Sequence, residues 1–437
     1  MRFLSTRDRA HAVSLSEAVA RGIAPDGGLY VPESLPQLAI EAHDSSLRVV
    51  AREVLAPFCA GDPLGTQLDA ILEEAFNFEA PLNAVEEGLD VLELFHGPTS
   101  AFKDFGARTL AAMLARAPAA DSRPLTILVA TSGDTGGAVA AAFHRRPGVA
   151  VVVLYPRGLV SPRQEQQLTC WGENVHTFSV AGTFDDCQRI VKEAFASAPL
   201  AARWRFSSAN SINAGRLLPQ VVYYAAASLA VRQRTGRAAS FIVPSGNLGN
   251  ALAALWARAM GLPIGEIVLA HNANRTVPDF IRTGQWHPRA SVATLASAMD
   301  VGNPSNMERV RHLLPDIETL RAAVSAVSVE DAAIRARIRA DFERTGRIWC
   351  PHTAVGAEAY ARLSKERRER RHWVLVATAH PSKFSEIVEP IVGRAVPVPA
   401  PLAALLQLPR RVTAIDGTLA SFAQAMQDCA SHPCSTH

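Results

Sequence analysis

Short, almost wholly apolar runs recur along this chain, each closed by a loop of small or polar residues. LDVLELF (89–95), LTILVA (125–130), VAVVVLYP (149–156) and VHTFSV (175–180) have the length and β-branched content of strands, as do ASFIVP (239–244), EIVLAH (266–271) and HWVLVAT (372–378). A strand that is apolar on both alternations must be covered on both faces, which is the mark of a parallel sheet. Alanine-rich segments such as GGAVAAAF and GNALAALWARAM supply the covering helices. The alternation predicts an α/β fold built on parallel sheets. Before residue 90 the texture differs: DGGLYVP reads as a turn entering a short strand, and helical patterns fall at 46–59 and 66–76. RLSKERRERRHWV (362–374) reads as a solvated helix end ahead of a buried strand.

Composition narrows the class. A chain of 437 residues exceeds one ordinary core, so two or three α/β domains are expected. A net charge of +3 with no basic block offers nothing to nucleic acid. The six cysteines (Cys59, Cys170, Cys187, Cys350, Cys429, Cys434) form no CxxC, which argues against a zinc cage or a disulfide framework and fits a reducing cytoplasm. MRFLSTRDRAHAVSLSEAV lacks the apolar core of a secretory signal, and no apolar run reaches the roughly 18 residues that span a bilayer. The expectation is a soluble cytoplasmic protein.

Two loops carry candidate chemistry. SFIVPSGNLGNALAALWARAM is a strand, a loop with Gly246 and Gly249, then a helix; such a turn aims backbone N–H groups and a helix's positive end at one spot. The spot suits a phosphate, although a tight βα turn uses glycines in the same way. The spacing is GxxG, neither the dinucleotide fingerprint nor a Walker loop. LTILVATSGDTGGAVAAAF repeats the device with Ser132, Gly133, Asp134 and Thr135 at its tip. Two such loops suggest a ligand with two anionic ends, or a cofactor phosphate beside a substrate anion.

Lys103 adds the reactive group. In LFHGPTSAFKDFGARTLAAML it stands between Phe102 and Phe105 at an expected helix start. Apolar neighbours and a positive helix terminus both lower a lysine's pKa, and a neutral amine is the form that makes a Schiff base. Beside two anion loops, Lys103 points to pyridoxal phosphate, with the phosphate in the glycine loop and the aldehyde carbon on the lysine.

The blocks VSLSEAVARGIAPDGGLYVPESLP, ELFHGPTSAFKDFG, ATSGDTGGAV, NSINAGRLLPQVVYY, PSGNLGN, MDVGNPSNMER, PHTAVG and ATAHPSKF stand in an order that resembles threonine synthases, over about residues 4–390. The resemblance implies a fold-type-II enzyme that converts O-phospho-L-homoserine and water to L-threonine and phosphate, the last step of threonine biosynthesis. It does so by γ-elimination and β-addition of water through a Schiff base of pyridoxal 5′-phosphate with Lys103. The implied organisation is an N-terminal extension (1–90), a large cofactor-binding domain (91–115 and 221–437) and a small domain (116–220) carrying the substrate-anion loops. Carried over by motif, Gly246, Asn247, Leu248, Gly249 and Asn250 cup the cofactor phosphate, Asp134 faces the 3′-oxygen and Thr378 meets the ring nitrogen. Ser132 and Thr135 contact the substrate's carboxylate or phosphate, and Asn210, Ser211 and Arg216 its phosphate; a planar guanidinium matches an anion bidentately.

The chain departs from the family at two places. It has Ala214-Gly215 where an aromatic is common, which predicts a wider pocket, and Cys350 where Asp is common, which predicts altered packing or hydrogen bonding. Cys350 and His352 alone are too few ligands for a metal. Rival readings are another lyase of the same fold, such as a serine or threonine dehydratase, and a non-catalytic metabolite-binding protein. The N-terminal segment resembles the shorter type without S-adenosylmethionine control. The expected partner is the small-molecule substrate, with no nucleic acid or membrane, and the expected state a monomer or homodimer. The tail beyond about 395 is expected as a turn and helix ending in a disordered ASHPCSTH.

Overall fold

The computed structural model describes residues 1–40, 46–118 and 123–431, so most of the expected disordered end lies outside the described residues. Two parallel sheets and a small antiparallel one organise them. The larger sheet has six strands in the order Val324–Ser328, Ile264–His271, Ala239–Pro244, His372–Ala377, Leu89–Glu93, Leu82–Glu86. All neighbours in it are parallel except the final hairpin. The second sheet has five parallel strands, ordered Thr413–Asp416, Val175–Ala181, Val149–Pro156, Leu125–Ala130, Arg205–Ser208. Near the N-terminus, Ala12–Val13, Phe3–Ser5 and Tyr30–Pro32 form an antiparallel trio, so DGGLYVP does lead into a strand.

All seven strands read from the apolar runs are present to within two residues. The four that were not foreseen in the two large sheets are their four edges: Val324–Ser328, Leu82–Glu86, Thr413–Asp416 and Arg205–Ser208. Leu125–Ala130, Ala239–Pro244 and His372–Ala377 are buried at every position, whereas Thr413–Asp416 buries only Ile415. An edge strand faces solvent along one side and carries polar residues there, which erases the signal that marks its interior neighbours.

The last segment departs from the expected domain boundary. Rather than staying with the larger sheet, Thr413–Asp416 pairs with Phe178–Ala181, and the helix Leu419–Ser431 seats Phe422 edge-on against Phe178. Ile415, Phe422 and Met426 join the core of Leu128, Val152 and Val180. The physical reason is that the open edge of Val175–Ala181 needs a partner, and the tail supplies it.

The carboxyl ends of the parallel strands in the two sheets face a common cleft, where open α/β sheets place their ligands. A third wall comes from the N-terminal extension, through Ile23–Pro25 and Leu29. Arg309, fully buried, ties this wall down: it donates to the carbonyls of Tyr30, Ser211 and Ile212 and to Asn306 Oδ1.

Ending the chain after Arg411 would strip Ile415, Phe422 and Met426 from their core, at about 2 kcal/mol for each buried side chain. The expected outcome is a lower urea midpoint for unfolding. An unchanged midpoint would show that the tail adds nothing to the five-stranded sheet.

Candidate active site

The cleft has a volume of about 1110 Å³, and every residue singled out above for a site role borders it. Lys103 is the first residue of the helix Lys103–Leu114, at the end of a turn stitched to the strand beside it. Phe102 N donates to Thr378 O (2.8 Å) and His380 N to Ser100 O (3.0 Å). Gly97 is required in that turn because a Cβ would lie 2.5 Å from an Asp104 carboxylate oxygen. That carboxylate accepts from Thr99 N and Thr99 Oγ1 and so braces the helix start.

The ammonium of Lys103 lies 4.4 Å from the centre of the Phe102 ring. Phe105 turns away, packing on Phe76, Phe78 and Tyr223, so only one of the two expected aromatic neighbours desolvates the amine. Burial first, and Arg216's charge second, lower the Lys103 pKa to about 8, with Asp134 opposing both. The nearby guanidinium is a cause that the sequence reading did not anticipate.

Opposite lies the glycine loop. Gly246 passes so close to Met299 that a Cβ would sit 2.7 Å from its Cα, and Leu248 takes the left-handed conformation, φ 61°. The helix Gly249–Ala259 follows, and the N–H groups of its first turn have no partners within it. Asn247 Nδ2 donates to Ser211 Oγ (2.7 Å), and Asn306 Nδ2 donates to Asn247 O (3.0 Å), which fixes the loop. Asn250 Oδ1 accepts from both Tyr223 and Tyr224, leaving its Nδ2 buried without a partner among the described residues.

In the second loop Thr131 Oγ1 accepts from Gly133 N and Gly136 N. Gly133, at φ 128°, admits the Gln164 side chain, which a Cβ would meet at 2.5 Å. Ser132 and Thr135 are half-buried on the cleft wall, but Asp134 is deeply buried. Its Oδ1 lies 2.8 Å from Lys383 Nζ and 3.0 Å from Gln164 Nε2. Burial alone would raise this carboxyl's pKa, but Lys383, His352 and Gln164 outweigh it and hold it below the ordinary range. Asp134 is therefore an ionised acceptor.

Arg216 is 1% exposed, and burial lowers its pKa to about 10, so it keeps its charge at neutral pH. One guanidinium nitrogen donates to Ala209 O, while Nε is buried with no partner among the described residues. Gly106 makes the space, since a Cβ there would lie 2.9 Å from that Nε. Asn210 Nδ2 donates to Ala130 O, and the Ser211 hydroxyl accepts from Asn247 and Asn306, so both are partly committed within the protein. Thr378 closes the strand His372–Ala377 and is buried in the cleft wall.

Of the two departures, Ala214-Gly215 resolves differently from expectation, and Cys350 alters hydrogen bonding as expected. Neither Ala214 nor Gly215 borders the cleft; a Cβ on Gly215 would lie 2.9 Å from both Leu110 and Val19. Small residues here let the N-terminal helix Leu15–Arg21 pack closely and do not widen the pocket. Cys350 caps the helix Pro351–Ala361, its sulfur accepting from Thr353 N at 3.4 Å where an Asp would make a stronger cap. Lys383 and His352 were missed as site residues, although ATAHPSKF and PHTAVG contain them. Their signal was a basic or titratable residue inside otherwise apolar, small-residue blocks.

Three buried unpartnered donors (Arg216 Nε, Asn250 Nδ2 and His352 Nδ1), a helix N-terminus and a lysine of lowered pKa border one cleft. That donor set fits an aldehyde cofactor with an anionic tail. Residues 83–379 match the family described as pyridoxal-phosphate dependent enzyme, and the protein is a lyase of that class with the type II fold. Residues 2–76 match the threonine synthase N terminus and 353–426 the threonine synthase C-terminal part. Threonine synthase of Serratia marcescens is 40% identical over 94% of this chain and 95% of its own. That of Haemophilus influenzae is 42% identical over 91% and 92%. The crystal structure of threonine synthase from Escherichia coli superposes with a TM-score of 0.89 at 37% identity, covering 98% of this chain and all of that one. A pyridoxal-phosphate-bound threonine synthase from Brucella melitensis gives 0.88 at 34% identity over the whole of both chains. The chain belongs to the threonine synthase family.

Attachment of pyridoxal 5′-phosphate to cofactor-free protein, followed by absorbance, is expected to rise with pH through a midpoint near the Lys103 value of about 8. Arg216 favours the neutral amine, so Arg216→Met is expected to move the midpoint upward. A midpoint that stays put, or falls, would refute the coupling.

Proposed function

We propose that this cleft converts O-phospho-L-homoserine and water to L-threonine and phosphate, with roles divided as the sequence motifs suggest. The observation that carries the reading is Arg216: a charged, buried guanidinium with an unpartnered Nε, in the same cleft as Lys103 and a separate glycine loop. One anion site is enough for a cofactor phosphate. A substrate carboxylate can use the Ser132–Thr135 loop, so a further guanidinium site suits a substrate that also carries a phosphate, which serine does not.

In this reading the loop Gly246–Asn250 holds the cofactor phosphate, Lys103 the aldehyde carbon, Thr378 the ring nitrogen, and Asp134 lies toward the 3′-oxygen. Bound pyridoxal 5′-phosphate supplies an electron sink that makes protons near the substrate's α-carbon removable. Lys103, released when substrate binds, takes the proton from Cα; its lowered pKa suits a general base near neutral pH. Arg216, Asn210 and Ser211 hold the phosphate as its bond to Cγ breaks, and donors already in place stabilise that charge without reorganisation. Ser132 and Thr135 orient the carboxylate or phosphate from the opposite wall. A proton leaves Cβ as the phosphate's bond to Cγ breaks. Cγ then takes up a proton to become the methyl group, water gives its hydroxyl to Cβ, and a proton returns to Cα. A neutral hydroxyl at Thr378, unlike a carboxylate, does not hold a proton on the ring nitrogen and so restrains competing reactions.

We further propose three working parts: an extension that ends before the strand Leu82–Glu86, a small body built on the five-stranded sheet, and a large body built on the six-stranded sheet. Among the described residues no helix is long and apolar enough to cross a membrane. We also propose that the protein acts in the cytoplasm on a small molecule, as a monomer or homodimer, with no part for nucleic acid.

Purified protein given O-phospho-L-homoserine is expected to release phosphate and threonine in equal amounts. Lys103→Ala should lower that turnover about a thousandfold and abolish borohydride-stable cofactor attachment. Ketoacid from serine without phosphate release would instead favour a dehydratase. Thr378→Asp is expected to raise ketoacid by-products, and an unchanged product ratio would remove the role given to Thr378.

A further inference from the structure

His352 is a buried titratable side chain of the cleft wall to which the proposed reaction gives no work. It is the second residue of the helix Pro351–Ala361 and only 3% exposed. Its Nε2 accepts a hydrogen bond from Ala298 N at 3.0 Å, and its ring packs on Phe384 with centroids 4.8 Å apart. The bond from Ala298 N sets the tautomer, and the Phe384 contact holds the ring in place. With Nε2 accepting, a neutral ring carries its proton on Nδ1. Burial, together with Lys103 and Lys383, lowers the pKa to about 4 despite Asp134, so the ring is neutral at physiological pH. Nδ1 is buried and has no partner among the described residues. The side chain borders the same cleft as Lys103 and Asp134.

A buried N–H donor without an acceptor carries a free-energy penalty unless something else fills the place. The cofactor's 3′-oxygen is adjacent on the ring to the aldehyde carbon, which belongs at Lys103. Asp134, on the far side of that oxygen in the reading above, is ionised and can only accept. An ionised carboxylate next to an anionic oxygen repels it, so a donor is needed between Lys103 and Asp134. His352 is electrostatically coupled to both. We propose that His352 Nδ1–H is the hydrogen-bond donor to the cofactor's 3′-oxygen, with the Ala298 backbone holding the ring in the donating tautomer. This rests on the pyridoxal-phosphate reading of the cleft.

Two substitutions separate the donor from the structural contact. His352→Gln can keep an acceptor where Nε2 stands for Ala298 and lacks a donor at Nδ1. His352→Asn can keep an amide donor near Nδ1 and gives up the Ala298 bond. Spectra and cofactor affinity are read on each reconstituted protein. In H352Q the long-wavelength band of the bound cofactor, near ~415 nm, is expected to lose intensity to shorter wavelength, and the dissociation constant to rise about tenfold. H352N is expected to stay close to the unaltered protein in both. A native-like spectrum and affinity for H352Q, or an H352N as impaired as H352Q, overturns the proposal. In unaltered protein labelled with ¹⁵N-histidine, one Nδ1–H resonance, missing in H352Q, should shift when pyridoxal 5′-phosphate is added; a resonance that does not move also overturns it. Unaltered protein that binds no cofactor would instead remove the reading on which the proposal stands.

Discussion

Lys103 and Arg216 are two cations in one water-poor cleft, and the site depends on how their repulsion is resolved. A guanidinium holds its proton far more tightly than an ammonium, so the lysine yields. Burial brings Arg216 only to about 10, still charged, while Lys103 falls to about 8. Against an ordinary lysine, a pKa near 8 multiplies the neutral amine at pH 7 by roughly 300. One arrangement thus yields an amine that is more readily neutral and a guanidinium that stays charged. The lowered lysine pKa would not persist in water, where solvent would screen the pair and return the lysine to its usual state.

Beneath that pair lies a second charged element of opposite purpose. Lys383, 1% exposed, bridges Asp134 Oδ1 and the Thr99 carbonyl at 2.8 Å each. Asp134 opens a helix of the five-stranded body, whereas Lys383 lies in the turn Pro381–Phe384 after a strand of the six-stranded body. Ser161 Oγ donates to Lys383 O, and Arg163 donates to Ser382 O, so the same turn is held from the other side. Buried ion pairs contribute little net stability because desolvation offsets their attraction. What this one does is fix Asp134, ionised, at a set distance from the turn that carries Lys103. Thr99, which accepts from Lys383, is also the residue that braces Asp104 at the helix start. A single side chain, Lys383, therefore ties the turn that carries Lys103 to the carboxylate loop.

The sequence revealed this architecture unevenly, for physical reasons. Interior strands such as Leu125–Ala130 announce themselves because both faces are covered. Arg205–Ser208 and Thr413–Asp416 do not, because an edge tolerates polar residues. The cleft's glycines and Lys103 were legible because backbone turns and covalent chemistry restrict the residue types that serve. Phe105 misled: adjacency in sequence placed it beside Lys103, but on a helix it faces Tyr223. Ala214-Gly215 misled in the same way, since a motif's neighbours need not line its pocket. Lys383 and His352 were hidden because their roles arise from contacts more than 50 residues away, with Asp134, Thr99 and Ala298, which no local pattern encodes.

The third wall explains why the N-terminal extension is part of the enzyme. Arg216 stands behind Asn213, whose side chain caps the helix Ala214–Thr235 and donates to the Val19 and Ser208 carbonyls. Val19 lies in the extension, and Gly215 is small so that Val19 and Leu110 can both close on it. Leu110 in turn lies on the helix that Lys103 begins. The extension, the anion-binding helix and the lysine helix thus meet at one glycine. Arg309 repeats the link by joining Tyr30 to Ser211 and Ile212. Without the extension the two helices would lose the surface that sets their separation, and that separation decides how strongly Arg216 acts on Lys103. The lysine's lowered pKa therefore depends, besides its own burial, on packing well beyond the cleft.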